Sequence, residues 1–179
     1  IYFSALGLAY VMVEMVLVQK LTFFLGIPAL ALAVVLCSML VFSGLGAGLT
    51  TRFKGNPAKA LMMTCGGVAA LLVAYSFLLD PVVKSAMALP LPVRVLITLL
   101  LLAPPALVMG MPFPTAIAAL GSKQKDLVVS GWVVNGYFSV LGSCLAVMTS
   151  ISLGFVAVLF IGALAYGVAA LARPLGVVE

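Results

Sequence analysis

The chain is written in long apolar runs with few breaks between them. A helix crossing the hydrocarbon core of a bilayer needs about 20 predominantly apolar residues. Cutting the sequence at its charges and its Gly and Pro clusters leaves six such runs. They are Tyr2–Gln19, Ala29–Leu49, Ala60–Leu79, Leu91–Met109, Leu127–Leu153 and Phe155–Leu171. The runs are continuous rather than alternating, which excludes a transmembrane β-barrel. The pattern predicts an all-α polytopic transmembrane bundle of about six spans, a single domain over residues 1–179. The segment Asp80–Pro92 is too short to span and is expected at the membrane interface.

Interruptions inside the runs mark where helices pack or break. Ser43–Gly48 reads "SGLGAG", in which Gly44 and Gly48 form a GxxxG pair. Without a Cβ at those positions two backbones can approach closely, and van der Waals packing replaces the hydrophobic force that lipid removes. In the fifth span Gly131, Asn135, Ser139 and Ser143 recur every four residues and share one helix face, with Gly142 beside them. That face is predicted to look into the bundle, because Asn135 turned to lipid would leave its amide unpaired. It serves either as an interhelical packing seam (Gly131, Gly142) or as a polar lining. The fourth span carries Pro104, Pro105, Pro112 and Pro114. Each removes a backbone donor and disfavours helix in the residue before it. A kink near Pro104 is therefore expected, with a break at "GMPFP" and a short helix restarting over Thr115–Leu120. This break lies either beside a cavity or at the membrane surface as a plain turn.

Composition supports the membrane reading. Hydrophobic residues fill 65% of the 179 positions and charged residues only 7%, against about 25% in a soluble domain. The net charge of +5 is explained by topology and lipid phosphates rather than nucleic acid. Arg52, Lys54, Lys59, Lys123, Lys125 and Arg173 fall on one side of the predicted spans, and Lys20, Lys84 and Arg94 on the other. The positive-inside rule then places both ends in the cytoplasm. Cys37, Cys65 and Cys144 lie far apart in apolar runs and read as small buried hydrophobes. The chain starts at Ile1 in apolar sequence and is expected to be a segment of a longer protein. With no His, no phosphate-binding or dinucleotide fingerprint and no paired carboxylates, it offers no catalytic, metal or cofactor site of a recognisable kind.

Glu14 is the exception in this apolar background. In the first span Ser4, Gly7, Val11 and Glu14 follow the i, i+3, i+7, i+10 rhythm of a single face. A carboxylate there costs several kcal/mol unless paired or protonated. It would lock the bundle against Asn135 or Ser139, pair with a Lys or Arg of another span, or bind a cation or relay a proton. Gln19 lies on a different face, and Lys20 is expected to snorkel to the interface.

The order "E…QK…LGIPALALAVVL…SGLGAG", then "GMPFPTAIAAL", then "W-x-x-N-G-x-x-S-V-L-G-S" resembles the membrane domain of spermidine synthase-like integral membrane proteins, from about Ala5 to Gly154. In these bacterial proteins a multi-helix region is joined to a soluble domain similar to polyamine aminopropyltransferases. The pattern falls on Glu14, Gln19, Gly26 and Pro28; on Ser43, Gly44 and Gly46; on Gly110 to Pro114; and on Trp132, Asn135, Gly136, Ser139, Gly142 and Ser143. Ile27 and Ala47 depart from it, standing where the family often has polar residues. The resemblance implies a bacterial inner-membrane protein that anchors or assists a soluble aminopropyltransferase-like domain. It implies Glu14 as a cation-facing acid, with Asn135, Ser139 and Ser143 as candidate polar partners. Two other readings fit the same residues: a scaffold subunit surrounded by other membrane subunits, and a small transporter-like bundle for amines or protons.

Overall fold

The computed structural model describes residues 1–52, 56–121 and 124–172. Among them the chain is all helical, in the order α1 (Tyr2–Leu25), α2 (Pro28–Leu49), a 3-10 turn (Thr50–Arg52), α3 (Pro57–Ala86), α4 (Leu91–Met109), α5 (Pro112–Leu120), α6 (Lys125–Leu153) and α7 (Phe155–Ala172). Six spans are long and apolar enough to cross a bilayer, with α4 and α5 together making the fourth. Lys54, Lys123 and Arg173, on which the orientation partly rests, lie outside the described residues, as does Glu179.

Local chemistry sets the helix ends. Gly26 stops α1 in the left-handed region at φ 76°, its N–H bonding the Thr22 carbonyl, a conformation that a side chain resists. Arg94 donates from Nη1 to the Phe24 carbonyl at 2.8 Å, placing a cation on the negative end of the α1 dipole. Pro28 then opens α2 at a position where no N–H is required. The Asn56 side chain accepts from Ala58 N at 2.9 Å and caps α3, with Pro57 behind it.

The helix α1 is the centre of the bundle. It packs chiefly against α6 and α7, also against α2, and touches α4 and α5; α3 pairs with α7 and α2 with α4. Its buried residues include Leu6, Ala9, Met12, Val13, Leu17, Leu21 and Phe24. By contrast α6 buries only Gly131, Gly142 and Ala146 of its 29 residues, so most of that helix faces outward. Lys20 does not simply reach for the surface. It pairs with Asp80 of α3 and lies 5.2 Å from the centroid of the Phe155 ring, tying three helices at one end.

Several expectations are corrected. Asp80–Ala86 is not separate from the third span: α3 runs through Pro81 for 30 residues, about 45 Å at 1.5 Å per residue, a length that exceeds the hydrocarbon core. Pro104 and Pro105 do not break α4, which continues through both. The reason is visible at Pro105. Its missing N–H frees the Leu101 carbonyl one turn earlier, and Tyr75 of α3 donates its hydroxyl to that carbonyl at 2.8 Å. A neighbouring helix thus supplies the donor that proline removed. Tyr75→Phe is expected to lower stability by about 1 kcal/mol, read as a shifted unfolding midpoint in detergent. An unchanged midpoint would show that the carbonyl finds another donor. Cys65 is buried, but Cys37 and Cys144 are exposed, because a lipid-facing surface is as apolar as the interior.

The break comes at Gly110–Met111, and α5 restarts at Pro112 rather than Thr115. Pro112 and Pro114 sit in its first turn, where N–H groups have no intrahelical partner to lose.

Candidate functional site

The break in the fourth span shapes a groove of about 510 Å³. Its floor is Leu6 and Tyr10 of α1. One wall is Leu40, Ser43, Gly44 and Ala47 of α2; the other is Trp132, Asn135 and Ser139 of α6. Met109, Gly110, Phe113 and Pro114, from the two halves of the broken span, close one end. Among the described residues no charged side chain lines it. Two observations explain why the elements meet here. A Cβ on Gly110 would fall 2.1 Å from the Ser43 carbonyl oxygen, and one on Gly46 only 1.9 Å from that of Leu107, so the α2–α4 crossing exists only with glycine at both positions. On the other side a Cβ on Gly7 would lie 2.2 Å from the Asn135 carbonyl oxygen.

The α1–α6 contact runs in parallel register. Gly131 meets the Phe3 ring, Gly7 the Asn135 backbone and Gly142 the Leu8 backbone. Ser139 donates to the Asn135 carbonyl at 2.8 Å and reaches the Gly7 carbonyl at 3.3 Å. Of the glycines named from the sequence, Gly131 and Gly142 make close interhelical contacts. Gly44 and Gly48 do not: nothing lies within 4 Å of a Cβ built on either, and the close approach is made by Gly46 between them. GxxxG spacing puts two glycines on one face, but the neighbouring helix selects which face it meets.

The four candidate polar residues do not form one cluster. Asn135 and Ser139 line the groove. Ser143 bonds back to the Val140 carbonyl of its own helix at 2.8 Å. Glu14 does not line the groove; it stands seven residues beyond Gly7, about 10 Å further along α1. It is half-buried. Among the described residues it pairs neither with Asn135 or Ser139 nor with a basic residue, since the one ion pair there joins Lys20 to Asp80. Asn135 faces into the bundle with its backbone, yet among the described residues its amide has no protein partner.

Sequence reasoning marked Trp132 and Phe113 only through the resemblance and did not bring them together. Trp132 packs edge-on against Phe113 with centroids 4.6 Å apart, and Phe113 in turn against Phe3 at 5.5 Å. Tyr10 approaches Ser43 at 3.5 Å between hydroxyls. The spacing Trp132–Asn135, one helical turn, was the available signal, joining Trp132 to the polar stripe. A second cavity of about 440 Å³ between α3 and α7 is lined by apolar residues alone and offers no chemistry. No group of metal-ligating side chains occurs among the described residues. Compared with known proteins, the chain matches no family model, no curated protein and no solved structure.

Proposed function

We propose that this chain is the membrane domain of a spermidine synthase-like protein, anchoring a soluble aminopropyltransferase-like domain at the bacterial inner membrane. One observation supports this reading above the others. Three of the four stretches that carry the resemblance, Ser43–Gly46, Gly110–Pro114 and Trp132–Ser139, contribute to the same groove, while Glu14–Pro28 lies outside it. Segments so far apart in sequence meet at one place when a site, rather than general packing, sets their composition.

The role is anchoring and assistance rather than conduction of a polyamine. A cation crossing the bilayer needs acidic or carbonyl ligands along its path. The groove has no acid, and Glu14 lies outside it. Scaffolding of other subunits is the second reading, favoured by the outward face of α6, where Trp132, Val133, Tyr137 and Val140 are all at least 60% exposed.

The test uses the natural protein in its membrane. Aminopropyl transfer to a diamine, or saturable polyamine binding, is expected to remain with the membrane fraction after a high-salt wash. A protein with neither property contradicts the reading.

A further inference from the structure

We propose that the groove is a binding site for an uncharged, bilayer-soluble molecule with a flat, carbonyl-bearing ring on an apolar tail, of the quinone class. The proposal goes beyond the anchoring role and does not depend on it.

Two donors in the groove are uncommitted. Among the described residues, neither the Asn135 amide nor the Trp132 indole N–H has a hydrogen-bond partner, whereas Ser139 is committed to the Asn135 carbonyl. These two N–H groups stand one turn apart on the same face of α6, both in the groove lining. Within a bilayer no water is at hand to satisfy them, so an occupant offering acceptors is strongly preferred. Among the described residues the lining carries no charge, which favours an uncharged head over an ionic one that would have to leave its hydration without compensation. The walls suit a ring: Trp132 and Phe113 meet edge to face at 4.6 Å, and Tyr10 forms the floor opposite them. Aromatic faces and edges of this kind hold a planar group by offset or edge contacts.

Size excludes a helical segment. A groove of about 510 Å³ holds scarcely more than one turn of a helix, which with its side chains is about 10 Å across. A phospholipid is the competing occupant, which the test below separates. An uncharged ring on an apolar tail needs no charged partner for its head. Between α2 and α6, which form no extended contact with each other, it can enter sideways from the bilayer.

Trp132 is the single tryptophan of the chain, so its fluorescence reports occupancy directly. The 179-residue chain is reconstituted in phosphatidylcholine vesicles and titrated with a decyl-substituted benzoquinone, Trp132→Phe serving as the blank. Saturable quenching is expected. Asn135→Leu should weaken the apparent affinity about fivefold, equivalent to about 1 kcal/mol for one lost hydrogen bond. Its side chain makes no protein hydrogen bond, and the close contact with Gly7 is through its backbone, so the variant keeps the α1–α6 seam. Gly136→Ala, outside the lining and with its methyl in open space, should bind within about twofold of wild type. Quenching that rises linearly with quinone, with equal slopes in wild type and Asn135→Leu, would overturn the proposal by showing collision from the bilayer. So would quenching by tail-brominated phosphatidylcholine that the quinone cannot relieve, since a phospholipid would then own the groove.

Discussion

Gly46→Ala is expected to destabilise the bundle by about 3 kcal/mol, the upper end of the usual cost of overpacking. The added methyl would sit 1.9 Å from the Leu107 carbonyl oxygen and 2.9 Å from its carbon. Those atoms are helix backbone, so no rotamer change relieves the clash and α2 must move away from α4. The intrinsic gain of Ala over Gly in a helix, about 0.5–1 kcal/mol, is too small to offset it. Gly44→Ala and Gly48→Ala are the matched comparisons. Nothing lies within 4 Å of either new methyl, so propensity alone acts and both should be neutral or slightly stabilising. Thermal unfolding of the three variants in one detergent checks the ranking. Equal losses for all three would place the GxxxG face, not Gly46, at the crossing.

Gly7→Ala is expected to cost a similar amount and to disturb the groove as well. Its methyl would meet the Asn135 carbonyl oxygen at 2.2 Å and the carbonyl carbon at 2.9 Å, forcing α1 and α6 apart. The hydrogen bond from Ser139 to the Gly7 carbonyl, already 3.3 Å long, would be lost. Since Trp132 stands one turn before Asn135 on the displaced helix, its emission should shift with the fall in stability. Gly136→Ala adds its methyl to open space and should change neither quantity. A shift without destabilisation would mean that the α1–α6 seam is looser than the contact at Gly7 implies.

The number and placement of the spans were legible because bilayer thickness imposes one length on every apolar run, whatever the run contains. Helix ends were less legible: the apolar pattern closes the first run at Gln19 and opens the third at Ala60, whereas α1 runs on to Leu25 before Gly26 and α3 opens at Pro57 behind the Asn56 cap. The face carrying Gly131, Asn135 and Ser139 was legible too, since a four-residue repeat of small and polar residues needs only helical periodicity to be seen. What sequence could not give is which partner each face meets. Pro104 and Pro105 read as a kink, and α4 runs on through both with the Tyr75 hydroxyl of another helix bonding the freed Leu101 carbonyl. Gly44 and Gly48 read as a packing pair, and the crossing uses Gly46. Glu14 shares its stripe with Gly7, yet the distance along α1 separates it from Asn135 and Ser139. In the first two cases the deciding atom belongs to a residue more than 25 positions away, where local pattern carries no information. The groove was half legible: its polar residues and its broken span were marked, but not their convergence with Trp132 and Phe113.

That convergence is the centre of the account, and one measurement tests it directly. With Cys37, Cys65 and Cys144 replaced by Ala, a single cysteine at Ala47 carries a nitroxide, a contact-range quencher of tryptophan fluorescence. Ala47 on α2 and Trp132 on α6 line opposite walls of the groove, so strong quenching of Trp132 is predicted. The same label at Val168, which lines the cavity between α3 and α7 instead, should leave the emission nearly unchanged. Equal quenching from both positions, or none from Ala47, would contradict a groove shared by α2 and α6.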